Sequence, residues 1–346
     1  MRNNKTITEV LRSLALFLII FACFAGTLTS SVSFQTTAET ATARPSVSGH
    51  LHVEGTQLVD ENGEPAVLKG ISTHGLTWYP DYIDDDLFLE LSKQWDCNLI
   101  RMAAYSSEYV KGYSQQTMDV LFRGIDAAIS ADMYVIVDWH TMVDEDPNVI
   151  LKQAEEFFSS VIERYGSCPN IIYECCNEPG GDWTVIKRYC AEIIPFIRRM
   201  DPDSLIIIGT ANYCQDLYYP VLDPVGFDNV MYSAHFYTAS HGKELREQIE
   251  KAIDKGLPVF ISECGLSEAS GDGGTDFISA AQWFTFVNEN RLSYTIWSLS
   301  DKDETSAFFY PGTSAGEALD EKNVTPVGKW VRSLMRGNDP FSIIVD

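Results

Sequence analysis

Basic side chains are scarce in this chain. Lys and Arg number 25 against 49 Asp and Glu, a formal charge of −24. A polyanion needs Lys and Arg to neutralise it, so this balance argues against nucleic acid or an anionic membrane surface as partner. No apolar run reaches the roughly 20 residues of a membrane span. The longest, Leu14 to Leu28, is about 15 residues. Cysteines never occur as Cys-x-x-Cys and never join histidines at zinc-ligand spacing, so no structural zinc is indicated. A glycine-rich turn after the first apolar run is missing, which speaks against a dinucleotide-binding open sheet. Internal repeats are missing too, which excludes a solenoid.

What is present begins with an export pattern. Arg2, Lys5 and Arg12 lead into the apolar run, and Ser/Thr-rich sequence follows from Thr29 to Ser48, with Thr36-Thr37-Ala38 as a cleavage candidate. The expected organisation is a signal peptide over 1–38, a Ser/Thr-rich linker over 39–48, one domain over 49–337 and a tail over 338–346. The protein is thereby expected to be secreted and extracellular, monomeric and without stable membrane association. An uncleaved anchor, or lipidation at Cys23 after Ile20-Phe21-Ala22, is the alternative fate. Seven cysteines remain beyond the signal, at 97, 168, 175, 176, 190, 214 and 264. They read as small buried hydrophobes. Cys175 and Cys176 are neighbours on one strand and point to opposite faces.

Eight short apolar runs alternate with helical patterns: Ala66–Ile71, Asn98–Ala104, Met133–Trp139, Asn170–Cys176, Leu205–Gly209, Asn229–His235, Pro258–Ser262 and Ser293–Ser298. That alternation is the mark of βα units and a parallel sheet, and eight of them close a (β/α)8 TIM barrel. The helical periodicity is explicit in Leu87, Leu91 and Trp95 after Asp84-Asp85-Asp86, and in Leu245, Ile249 and Ala252/Ile253. A last helix spans Val324–Met335, with Gly337 as its C-cap. Ahead of the barrel, Leu51–Val59 and Ala66–Leu68 flank a turn at Asp60–Pro65 and predict a β-hairpin plugging the barrel floor.

The runs end in chemistry: His74 and Trp78, Arg101 and Tyr105, Asp138-Trp139-His140, Asn177-Glu178-Pro179, His235-Phe236-Tyr237, Glu263 and Trp297. In a barrel these ends share the C-terminal mouth, where active sites are built. Buried strands do not finish in ionisable groups unless those groups find partners or work. Glu178 and Glu263 close the fourth and seventh runs and so face each other across the mouth. Two such carboxylates can flank a glycosidic bond, one protonating the leaving oxygen and the other attacking the anomeric carbon. Retention requires them about 5–5.5 Å apart, inversion about 6.5–9.5 Å. The closeness of two like charges is expected to keep Glu178 protonated. Arg101 is expected to hold Glu263 as the attacking carboxylate.

These motifs resemble glycoside hydrolase family 5, and more closely its bacterial endoglucanase (cellulase) subfamily 2. The closer likeness rests on Lys69-Gly70-Ile71-Ser72-Thr73-His74-Gly75-Leu76-Thr77-Trp78-Tyr79-Pro80, Tyr134-Val135-Ile136-Val137-Asp138-Trp139-His140 and Ser298-Leu299-Ser300-Asp301-Lys302-Asp303-Glu304. It spans about residues 51–335. The resemblance implies a retaining endo-β-1,4-glucanase acting on a β-glucan polysaccharide with no cofactor and no metal. Glu178 is then the acid/base and Glu263 the nucleophile. Asn177 binds the sugar 2-hydroxyl, Arg101 and Tyr237 hold Glu263, and His235 orients Glu178. His140 and Trp297 hold the sugar beside the scissile bond, and His74, Trp78, Tyr105, Lys302 and Glu304 line the next subsite.

Two positions depart from the subfamily pattern. Cys264 follows the nucleophile where Trp is usual, and Tyr213 stands where Trp is usual in the loop after the fifth run. Tyr213 is expected to weaken the platform for the leaving side of the chain. Other readings stay open on the residues alone. His74, His140, His235, Asp138 and Glu263 can be read as ligands of a hydrolytic metal. Mannan, xyloglucan and mixed-linkage glucan are alternative substrates, and a non-catalytic sugar-binding barrel is a third class.

Overall fold

The computed structural model describes residues 42–343. The expected signal peptide, its cleavage site and Cys23 lie outside the described residues. A two-stranded antiparallel pair, β1 (His52–Glu54) and β2 (Gln57–Val59), precedes eight parallel strands. These are β3 (Lys69–Thr73), β4 (Leu99–Tyr105), β5 (Tyr134–His140), β6 (Ile171–Glu174), β7 (Leu205–Ile208), β8 (Val230–Tyr237), β9 (Val259–Gly265) and β10 (Tyr294–Leu299). They close in the order β10-β3-β4-β5-β6-β7-β8-β9, so the (β/α)8 expectation holds.

The strands read as near-continuous apolar runs because both faces are covered. Alternate residues serve different cores. On β5, Val135, Val137 and Trp139 belong to the layer under the helices, whereas Tyr134 and Ile136 belong to the barrel interior. The interior cluster also takes Leu99, Ile172, Leu205, Met231 and Phe260 from the starts of other strands, with Leu51 and Leu58 from the β1–β2 region beneath them.

Helices form where apolar residues recur on one face, and some open behind a capping side-chain oxygen. Asp84 accepts from the Leu87 amide at 2.9 Å and opens the helix Asp85–Gln94, which buries Leu87, Phe88 and Leu91; Trp95 sits just past its end. Lys243–Asp254 buries Leu245, Ile249 and Ala252. The final helix is Pro326–Met335, two residues shorter than expected at its start, because the Thr325 side chain caps it. Gly337 follows with φ 81°, the left-handed conformation of a helix stop.

Three boundaries are corrected. The hairpin turns at Gly55-Thr56, not at Asp60–Pro65; Gly55 supplies the positive φ of 62° that a tight reversal needs. Asp60–Glu64 makes a second turn that returns to bridge Val59 with Pro65. The later part of the expected linker is folded: Ala43 and Pro45 are buried, and the Arg44 guanidinium donates to Ser92 Oγ at 2.7 Å and to the Cys97 carbonyl at 2.8 Å. The expected tail starts folded as well, with Pro340–Ser342 packed against the helix Phe277–Glu289. All seven cysteines of the described residues are free thiols, and six are buried.

Candidate active site

Strand alternation carries the polar groups to the mouth. Leu99 on β4 and Ile172 on β6 line the interior floor, and Arg101 and Glu174 lie two residues further along the same face. Asp138 and His140 follow Tyr134 and Ile136 on β5; Ser233, His235 and Tyr237 follow Met231 on β8. On β9 the alternation breaks. Ser233 pairs with Phe260 but His235 pairs with Glu263, and Tyr294 pairs with Ile261 but Ile296 with Cys264. One extra residue is thus accommodated against both neighbours, a bulge that re-aims a side chain. Ser262 and Glu263, adjacent in sequence, both reach the site.

Arg101 is fully buried and organises the centre. It donates through Nε to Glu174 Oε2 at 2.7 Å, through Nη1 to Glu263 Oε2 at 3.0 Å and through Nη2 to Asn177 Oδ1 at 2.6 Å. Nη2 also lies 2.9 Å from Asp138 Oδ2. Burial alone lowers a guanidinium pKa, but these three carboxylates hold that of Arg101 well above its ordinary value. Asp138 is pushed up to about 8 by burial, with Arg101 opposing. The Tyr237 hydroxyl donates to the other Glu263 oxygen at 2.7 Å.

Glu178 lies against His235, whose Nδ1 is 2.9 Å from Glu178 Oε1. Burial raises the Glu178 pKa, opposed by His140 and Arg101. The direction matches the sequence expectation, but the cause is corrected: desolvation, not the charge of Glu263, is the main source. Burial likewise lowers His140 and His235 to about 4, so both imidazoles are neutral at pH 7. One oxygen of Glu178, one of Glu263 and a nitrogen of His235 all lie within 4.8 Å of one another.

A cleft of about 630 Å³ opens over this centre. Its lining includes His74, Trp78, Tyr105, His140, Asn177, Glu178, Tyr213, His235, Tyr237, Glu263, Trp297, Lys302 and Glu304, which brings together the sequence-selected site residues except the fully buried Arg101 and Asp138. Trp297 is 6% exposed, stacked with His140 at 5.7 Å between ring centroids and 4.8 Å from the His74 ring. Trp78 and Tyr105 continue this wall, 4.4 Å apart. Lys302 pairs with Glu304 at 2.6 Å and lies 3.4 Å from His74 Nε2. Burial, then Lys302, lower His74 to about 3. Tyr213 follows β7, which stands opposite β3 in the ring, so it lies across the mouth from Trp78. It is half-exposed, in a turn where Asn212, Tyr213 and Cys214 all have φ near 55°. The Cys214 thiol donates to the Asn177 carbonyl at 3.0 Å and pins that turn.

The model of the family described as Cellulase (glycosyl hydrolase family 5) matches residues 59–303. The chain belongs to glycoside hydrolase family 5. It is 39% identical over 310 residues to an endoglucanase of Clostridium saccharobutylicum, covering 88% of this chain and 68% of that protein. Endoglucanase A of Butyrivibrio fibrisolvens is 40% identical over 293 residues, with 82% of this chain and 68% of that one covered. Among solved structures, the catalytic domain of Thermobifida fusca endoglucanase Cel5A in complex with cellotetraose superposes with TM-score 0.81 at 34% identity, over 85% of this chain and 100% of that one.

Sequence reading within the family missed Glu174, Ser262, Gln215 and His241. Glu174 sits in the apolar run Asn170–Cys176, and a carboxylate inside a buried strand was the available signal. His241 lies four residues past Tyr237, accepts from its amide at 2.8 Å and lies 3.3 Å from Gln215 Nε2; only the folded turn reveals it. The metal reading is not supported by the donors it named. Asp138 Oδ2 is shared by Arg101 and His140, with Oδ1 buried and unpartnered, and His74 Nδ1 accepts from the Gly75 amide at 2.7 Å. Among the described residues the closest potential ligand set is Glu178, His235 and Glu263, and the His235 nitrogens and Glu263 oxygens already have protein partners.

Proposed function

We propose that this chain is a secreted, retaining endo-β-1,4-glucanase that cleaves internal bonds of cellulose or a related β-glucan. The observation that carries the reading is the approach of Glu178 and Glu263 oxygens to within 4.8 Å across the mouth. That closeness favours direct attack by one carboxylate over the wider carboxyl spacing with which an inverting enzyme accommodates its water. Glu178, with its raised pKa, protonates the departing oxygen, while Glu263 bonds to the anomeric carbon. Water then releases the sugar, giving its proton to Glu178. Asn177, fixed by Arg101 and by its donation to the Thr141 carbonyl at 3.1 Å, meets the 2-hydroxyl. Trp297 and Trp78 offer flat apolar faces to the C–H faces of glucose rings. The endoglucanase relatives and the cellotetraose complex of the Thermobifida enzyme support this substrate class. Residues 1–38 support export.

The test is Glu263→Ala with 2,4-dinitrophenyl β-cellobioside. Activity falls by at least about 10⁴-fold, and azide restores turnover with α-cellobiosyl azide as product. Glu178→Ala slows phenyl cellobioside far more than the dinitrophenyl substrate, because only the poorer leaving group needs a proton. Equal losses on both substrates, or a β-azide from Glu263→Ala, rule the assignment out.

A further inference from the structure

Behind Glu178 runs a chain of buried polar groups that the reaction scheme above does not use. Ser262 has a single hydroxyl proton and three polar neighbours: Glu174 Oε1 at 2.8 Å, His235 Nε2 at 3.0 Å and Ser233 Oγ at 2.5 Å. Glu174 receives two N–H bonds from Arg101, to Oε2 at 2.7 Å and to Oε1 at 3.2 Å. Burial pushes the Glu174 pKa up and the charge and N–H bonds of Arg101 oppose it; with a guanidinium proton on each oxygen, Glu174 stands as the carboxylate and only accepts. Ser262 therefore donates to Glu174 and accepts from its other two neighbours. His235 must then carry its proton on Nε2, which leaves Nδ1 bare. Bare Nδ1 faces Glu178 Oε1 at 2.9 Å. Two acceptors do not meet at that distance without a proton between them, and the neutral imidazole has none to give.

We propose that Glu174 and Ser262 are positioning residues that fix the tautomer of His235 and so keep a proton on Glu178 in the resting enzyme. The proposal rests on the reading of Glu178 as general acid. Burial acts in the same direction, lowering His235 to about 4 and raising Glu178. In the first step the Glu178 proton passes to the leaving oxygen as the anomeric C–O bond breaks and Glu263 bonds to that carbon. The terminal torsion of a glutamate is soft, so the carboxyl can turn from Nδ1 to the cleft. In the second step the Glu178 carboxylate faces a bare nitrogen, which makes it the better base toward water. The other titratable and charged groups around this chain are Arg101 and Tyr105 on β4, Asp138 and His140 on β5, Tyr237 on β8, Glu263 on β9 and the Cys214 thiol.

The experiment compares the full chain with Ser262→Ala and Ser262→Thr. In the unmodified protein at pH 7, ¹⁵N NMR of His235 shows Nε2 protonated and Nδ1 bare. In Ser262→Ala the opposite tautomer gains population, because Nδ1–H can now donate to an ionised Glu178. The alkaline limb of kcat/KM on cello-oligosaccharides then moves down by about one pH unit. Ser262→Thr keeps a hydroxyl and restores both the tautomer and the limb. An Nδ1-protonated or doubly protonated His235 in the unmodified protein overturns the proposal, as does an unshifted limb in Ser262→Ala. The NMR arm needs no substrate. A protein with the stated tautomer that cleaves no β-glucan refutes the glucanase reading alone, and a glucanase with the wrong tautomer refutes the relay alone.

Discussion

Ser262 and Glu263 follow one another on β9, yet both side chains reach the same polar centre, Ser262 touching Glu174 and Glu263 touching Arg101. Regular strand geometry sends neighbours to opposite faces, so the bulge in β9 is what allows it. Glu263 is thereby presented to Arg101 and Tyr237 at once, one donor for each oxygen.

Arg101 is irreplaceable by lysine on this geometry. Its planar fork serves Glu174, Glu263, Asn177 and Asp138 together, and a single ammonium cannot reach them all. Arg101→Lys should lower kcat by about 100-fold or more, and the unpaired buried carboxylates should cost about 3–5 kcal/mol of stability. Steady-state kinetics on a soluble β-glucan and thermal unfolding check both; full activity with an unchanged Tm contradicts the account.

Gly209, at the end of β7, is needed for its missing side chain. A β-carbon there would fall 2.6 Å from the Cys176 carbonyl oxygen and nearer still to that of Asn177. Both obstacles are backbone, so the segment carrying Asn177 and Glu178 must move. Gly209→Ala is expected to keep the barrel, by circular dichroism, while kcat/KM falls by about 10- to 100-fold, because displacements near 1 Å at a reacting group carry losses of that order. A fall in Tm with kcat/KM preserved would count against a positioning role.

His74 sets a pH dependence of stability. Its folded pKa is lowered to about 3, below the ordinary 6.5, first by burial and then by Lys302 and His140. Between those values the unfolded chain binds a proton that the folded chain refuses. Its contribution is therefore whole above about pH 6.5 and is lost as pH falls. In His74→Asn that loss is absent. The stability advantage of the unmodified protein over the variant should shrink by up to about 1.4 kcal/mol per pH unit as pH falls from 6.5 toward 4. Denaturant titrations of both proteins at several pH values measure it, and a difference independent of pH refutes it.

The sequence by itself determined the barrel and most of its mouth. Eight doubly apolar runs require cover on both faces, and parallel strands separated by helices supply it. Polar residues closing those runs, His140, Asn177-Glu178, His235, Tyr237 and Trp297, had no other place to gather than the C-terminal rim. Capping and periodicity likewise announced the helices beginning after Asp84 and ending before Gly337. Tertiary structure alone decided the rest, because it depends on which atoms meet across the ring. The bulge in β9 follows from register against two neighbours, which no period in one strand encodes. Glu174 gained its meaning only when Arg101, 73 residues earlier in the chain, closed on it with two hydrogen bonds inside the barrel. The raised pKa of Glu178 likewise comes from the water that burial removes, a property of the packed cleft that a linear sequence does not display.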